Sequence, residues 1–144
     1  MRMSQNLILL PVLAQVLLTL LLLVRLPVVR SRSMRENRQR LEDMALAAPT
    51  DWNRAAQKVA NSYASQFELP VLFYVVSLAA LVTRMVDLPM LGLAALFVLS
   101  RLAHAAIHIG PNVVAWRFPV FGAGLLVLIA MSGLLAFRIL SAGL

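Results

Sequence analysis

Residues Met3–Val24, MSQNLILLPVLAQVLLTLLLLV, decide the fold: they run without a single charge and are dominated by leucine. About 20 such residues, rising 1.5 Å each as a helix, cross the ~30 Å hydrocarbon core of a bilayer. A cleaved signal peptide would carry an apolar region of only about 7–15 residues behind a basic flank. Here Arg25, Arg30, Arg32, Arg35, Arg38 and Arg40 follow the stretch, and Arg2 alone precedes it. The segment is therefore expected to be kept as a first span, about residues 5–25. The arginine excess places a loop of about residues 26–52 in the cytoplasm and the amino terminus outside.

The rest of the chain agrees with that reading. At 144 residues it is a single domain, 61% hydrophobic and 13% charged. Soluble domains average about 45–50% and about 25%, so a water-facing globule is excluded and the expected partner is the lipid bilayer. Thirteen Lys+Arg against six Asp+Glu give a net charge of +7, but much of that surplus sits in the loop after span one, and no nucleic-acid partner is expected. The chain has no cysteine. That excludes a disulfide framework, thiolate metal ligands and a cysteine nucleophile, so any thiol chemistry has to arrive with a substrate.

Pro49-Thr50-Asp51 reads as a helix start, with Thr50 or Asp51 capping the free amides of a helix from about Trp52. Its membrane part, about 57–83, is interrupted by Glu68 and Pro70. The connector Arg84–Pro89 leads into span three, about 89–109, and Gly110-Pro111-Asn112 turns the chain into span four, about 117–138. Backbone groups in lipid must be satisfied within each helix, so the expected fold is an all-α, integral membrane four-helix bundle. Ala79, Ala80, Gly92, Ala94 and Ala95 are small enough for close helix contact, and a homotrimer is expected.

Ionisable residues inside spans cost roughly 2.5–3.5 kcal/mol each at mid-helix and usually mark function. Counting residues places Glu68 roughly 6–8 Å inside the cytoplasmic boundary and Arg101 ~18 Å from the outer end of span three, with His104 one turn nearer the cytoplasm. Arg101, His104 and His108 share one helical face, as do Arg54, Lys58, Asn61, Ser65 and Glu68. With Arg117 opening span four, these stripes predict one cavity facing the cytoplasmic side. The plainer alternative is that Glu68 and Arg101 pair to hold two helices together, while Arg117 and Lys58 snorkel to the interface. His104 and His108 with Glu68 would offer a metal two imidazoles and a carboxylate, but the pair lacks the glutamate of H-E-x-x-H and two cations flank it, and no metal is expected. Phe73, Tyr74, Phe97 and Trp116 read as packing or interface aromatics.

Three places resemble the MAPEG family, the membrane-associated proteins in eicosanoid and glutathione metabolism, in its bacterial-type members. Ser65-Gln66-Phe67-Glu68-Leu69-Pro70 is similar to the helix-two motif in which a glutamate shortly precedes a proline. Arg101, His104, His108 and Gly110 resemble the helix-three R-x-x-H/Y-x-x-x-Y motif, and Arg117 falls where prostaglandin-forming members carry a thiol-stabilising arginine. The resemblance implies a trimer in a bacterial inner membrane with its sites near the cytoplasmic face. It also implies glutathione as co-substrate and a transferase or peroxidase acting on lipophilic small molecules. By that resemblance Glu68 binds the amino group of glutathione, Arg101 and His104 stabilise the site or contact carboxylates, and Arg117 is the catalytic cation that holds the sulfur as thiolate. Asn61 and Ser65 stand where glutathione-using members have arginine and asparagine. His108 replaces a tyrosine, and Phe118 replaces the serine of prostaglandin-forming members. These departures support a second expectation, a non-catalytic protein that binds lipid or lipophilic ligands.

Overall fold

The computed structural model describes residues 4–37 and 52–142. After a short 3₁₀ turn, Gln5–Ile8, the chain forms α1 (Leu9–Asn37), α2 (Arg54–Ala64), a second 3₁₀ turn at Ser65–Phe67, α3 (Leu69–Val82), α4 (Leu88–Ile109) and α5 (Val114–Ala142). No strand occurs among the described residues. Four helical segments, Gln5–Glu36, Arg54–Val82, Leu88–Ile109 and Val114–Ala142, are long and apolar enough to cross a membrane. The all-α, four-span architecture is the expected one.

Two details differ from expectation. The arginines after span one do not begin a loop: α1 continues through Arg25, Arg30, Arg32 and Arg35 to Asn37. Arginine is a good helix former, and the extension has a surface to rest on. Leu22, Leu26 and Ser33 continue one buried stripe, Ser33 Oγ accepts the Asn53 amide at 2.8 Å, and the Arg30 guanidinium lies 5.1 Å from the Trp52 ring centroid. The start of α2 differs as well. Thr50 and Asp51 lie outside the described residues, and Asn53 is the cap, its Oδ1 accepting the Ala56 amide at 2.9 Å while its Nδ2 donates to Glu36 at 2.6 Å.

The interruption of the second span is a true break. Pro70 has no amide to give and its ring would clash with the Gln66 carbonyl one turn back. The backbone tightens into the 3₁₀ turn, leaves helical geometry at Glu68 (φ −94°, ψ −106°) and restarts as α3 with the proline in its first turn. Ser65 and Gln66 are thereby turned inward and Glu68 outward.

The core lies between α3, α4 and α5. Phe73 and Phe97 stack at 4.5 Å among Met90, Ala94, Met131 and Leu128, all buried. Helices α4 and α5 approach so closely that a Cβ on Gly124 would stand 2.8 Å from Ser100 Oγ. Of the small residues noted in the sequence, Ala80 and Ala94 are buried in this core, whereas Gly92 and Ala95 remain exposed. The end of the bundle where α3 joins α4 is fastened by side chains. Gln5 donates to the Val86 carbonyl and accepts its amide, both at 2.9 Å. Arg138 donates to the Met85 carbonyl at 2.9 Å and forms an ion pair with Asp87, whose other oxygen caps α4 through the Met90 amide.

Candidate functional site

At the opposite end, the break at Glu68, the last turns of α4 and the first turns of α5 enclose a cavity of about 500 Å³. Asn61, Ser65, Glu68, His104, His108 and Arg117, six of the residues singled out in the sequence, line it together with Ala64, Val114, Phe118 and Phe121. The polar groups come from α2, the break, α4 and, with Arg117, the start of α5, and the apolar ones mostly from α5. Such a cavity suits a ligand with a polar and an apolar part.

Arg101, the seventh residue, does not line the cavity but lies beneath it, fully buried. It does not pair with Glu68. One terminal nitrogen donates to the Ser65 carbonyl at 3.1 Å and to Ser65 Oγ at 2.8 Å, and its guanidinium stands 5.9 Å from the Phe121 ring centroid. Its Nε and other terminal nitrogen have no partner. The Glu68–Arg101 pair of the plainer alternative does not form; Arg101 contacts Ser65 instead, because the break turns Ser65 inward and Glu68 outward. The only ion pair among the described residues is that of Arg138 and Asp87.

Arg117 is anchored rather than loose. One terminal nitrogen lies 3.2 Å from His108 Nε2 and 3.0 Å from Asn112 Oδ1. A guanidinium only donates, so His108 Nε2 accepts and the imidazole proton sits on Nδ1. That nitrogen and Nδ1 of His104 are buried without a partner. Asn112 adopts a left-handed backbone, φ 55°, which asparagine tolerates better than most residues. The His104 and His108 rings meet edge to face at 5.6 Å, and Phe121 lies 5.8 Å from His104. Lys58 is turned away: its Nζ donates to the Gly110 carbonyl at 2.6 Å. With Arg54 and Asn61 it lines a smaller neighbouring cavity.

A buried polar chain connects this site to α1. Ser65 Oγ donates to the Ser62 carbonyl at 3.3 Å, Gln66 Nε2 donates to the same carbonyl at 2.9 Å, and Gln15 Nε2 donates to Gln66 Oε1 at 2.9 Å. The sequence names Gln66 only within the helix-two motif and Asn112 only in a turn, and gives Gln15 and Phe121 no role. Phe121 follows Arg117 by one helical turn, a spacing that points to the same face. Gln15 carries a local signal too, an amide in the middle of a leucine run.

Four membrane-spanning helices around a polar cavity at one end define the class: an integral, multi-pass membrane protein of helical-bundle type. The MAPEG family model matches residues 8–137, nearly the whole chain, and the chain belongs to the MAPEG family. No curated protein and no solved structure gives a match.

Proposed function

We propose that the protein is a glutathione-dependent transferase or peroxidase acting on lipophilic electrophiles. The observation that carries this reading is the convergence of Glu68, His104, His108 and Arg117 on one cavity whose other wall is Val114, Phe118 and Phe121. Those groups suit the tripeptide. The Glu68 carboxylate is exposed to the cavity and complements an ammonium group, the Arg117 guanidinium complements a thiolate, and buried imidazole nitrogens without partners lie nearby. Glutathione supplies the thiol that a chain without cysteine lacks. A thiol of pKa near 8.5 becomes nucleophilic at neutral pH when a cation favours its ionised form. In transfer, a carbon–sulfur bond forms while the leaving group departs with its electron pair. In peroxide reduction, the oxygen–oxygen bond breaks, two thiols become a disulfide, and the products are an alcohol and water. The role of the chain is to bind, ionise and orient: Arg117, held by His108 and Asn112, is fixed before the ligand arrives, so less ordering is needed on binding.

The site is read as opening toward the cytoplasm, from the arginine excess at this end of α1, and the membrane as a bacterial inner membrane. The working unit is read as a homotrimer, for which exposed Gly92 and Ala95 offer close-contact surface. A monomer by native mass spectrometry, in lipid as well as in mild detergent, would remove the trimer.

A second reading has its own support. Arg117 already spends one nitrogen on His108 and Asn112, and Phe118 is 77% exposed at the rim, features equally suited to a protein that holds a lipophile without catalysis. Calorimetry with glutathione on the purified protein separates the two. Binding accompanied by thiolate absorbance in the ultraviolet supports the enzyme; thermal stabilisation by apolar ligands alone supports the binder.

A further inference from the structure

The extension of α1 beyond the expected membrane boundary lines a second groove, which shares no lining residue with the cavity. A groove of about 700 Å³ runs along α1 beside the end of α4. Leu18, Leu22 and Ile109 lie along it, with Arg25 midway and Arg32 two turns further on. Leu18, Leu21, Leu22, Arg25, Val28, Val29 and Arg32 fall on one helical stripe, because steps of three, four and seven residues return to the same face. The stripe thus changes after Leu22 from leucine alone to valine interleaved with arginine. Leu18 and Leu22 are buried against Ala105, forming a floor, while Leu21, Val28, Arg25 and Arg32 are exposed.

Among the described residues the two arginines are uncompensated. Neither takes part in an ion pair among the described residues, and Glu36, one turn beyond Arg32, is bonded to Asn53. Arg30, on the opposite face, is occupied by Trp52. A ligand filling the groove must be apolar over its membrane part and anionic beside the arginines. Guanidinium groups bind phosphate through paired N–H donors, and basic clusters beside membrane helices recognise anionic lipid headgroups. A second copy of this chain is a poorer occupant, since with thirteen Lys+Arg against six Asp+Glu it has few carboxylates to set against the two arginines.

We propose that this groove binds one anionic phospholipid, its acyl chains along Leu18, Leu21 and Leu22 and its phosphate headgroup between Arg25 and Arg32. The site stands whether or not the cavity binds glutathione.

Native mass spectrometry of the full chain in detergent, titrated with phosphatidylglycerol or with phosphatidylcholine of the same acyl chains, tests it. One phosphatidylglycerol is expected to remain bound per chain at concentrations where phosphatidylcholine does not. The double variant Arg25→Gln, Arg32→Gln is expected to weaken that binding about twenty-fivefold, from about fivefold per arginine, whereas Arg84→Gln, in the exposed connector at the other end of the bundle, leaves it unchanged. Equal retention of both lipids, or an unaffected double variant, would overturn the proposal. Because the chain has no native cysteine, Val28→Cys gives a single reporter that keeps both arginines. Protection of its thiol from maleimide by phosphatidylglycerol but not phosphatidylcholine supports the site. A disulfide formed between copies in the membrane would show that a second chain covers the groove instead.

Discussion

Arg138 and Arg101 stand near opposite ends of the bundle, and the chain treats them differently. Arg138 reaches the Met85 carbonyl and Asp87, beside a Gln5 that satisfies both backbone groups of Val86. Among the described residues, the one buried side-chain atom without a partner in that half of the bundle is a neutral hydroxyl, Ser77 Oγ. Arg101, fully buried, spends one nitrogen on Ser65 and leaves two without a partner, and the two histidines above it each leave Nδ1 unpaired. Unpaired buried polar groups cost about 1–3 kcal/mol each, more when charged. The fold thus leaves its unpaired cation and imidazoles at the cavity end, beneath and beside the groups that line it. The first end fastens the helices; the second holds the candidate site.

The largest effect is expected where the contrast meets chemistry. Arg117→Ala should lower thiol-transfer activity by one or more decades, since a charge-assisted contact made mainly to ionised sulfur is worth about 1.5–3 kcal/mol. Folding should survive, because the side chain is only partly buried and its partners, His108 and Asn112, sit at the cavity rim. Activity and melting temperature measured together check this. Unchanged activity would leave the non-catalytic binder as the better account.

Arg101→Met breaks the contrast from the other side. A buried cation without a counter-charge is a burden on the fold, and replacing buried ions by apolar groups of similar volume is often neutral or stabilising. Thermal stability should hold or rise, while glutathione affinity by calorimetry falls about tenfold or more as Ser65 and the cavity floor lose their support. A clear loss of stability would instead make Arg101 a structural residue like Arg138.

These expectations rest on geometry that was only partly legible in the sequence. Apolar runs reveal spans because lipid demands about 20 such residues in a row, and helical periodicity brought Asn61, Ser65, Glu68, His104 and His108 onto facing stripes. Their depths, counted at 1.5 Å per residue, suffice to gather them at one end. The pairing did not follow from stripes. Proline alters the backbone of its neighbours, so the break at Pro70 turned Ser65 in and Glu68 out, and a carboxylate assigned to Arg101 by depth was replaced by a hydroxyl. The cluster of arginines after Val24 marks a membrane boundary, but a boundary in polarity is not a helix end. Gln15 and Gln66 are 51 positions apart, and no local pattern announces a partner at that distance.

Gln15→Leu tests whether α1 is tied to the site by that pair. It removes one buried hydrogen bond and leaves Gln66 Oε1 without a donor. Side-chain hydrogen bonds within membrane bundles are worth ~0.6 kcal/mol on average and up to about 1.7, so unfolding in mild denaturant should shift by about 1 kcal/mol. Since Gln66 also holds the Ser62 carbonyl, cavity ligands should bind severalfold more weakly. An affinity that stays at the wild-type value would show the chain of bonds to be a helix fastener only.

The smallest effect belongs to the fastened end. Asp87→Asn removes the ion pair with Arg138 but keeps a side-chain oxygen able to cap α4 through the Met90 amide, as asparagine is among the best capping residues. The side chains of Arg138 and Asp87 are 21% and 46% exposed, and ion pairs so open to solvent contribute about 0–1 kcal/mol. Arg138 also keeps its bond to the Met85 carbonyl. A stability change of about 1 kcal/mol or less is therefore expected, with glutathione affinity and activity unaffected. A loss of several kcal/mol would mean that the α3–α4 connector depends on charge rather than on its caps and on Gln5, and a loss of ligand affinity would mean that the two ends are coupled through α4. Asp87→Ala separates those causes: it removes the cap as well, for which about 1 kcal/mol more is expected, so a variant no worse than Asp87→Asn would show that the cap contributes nothing.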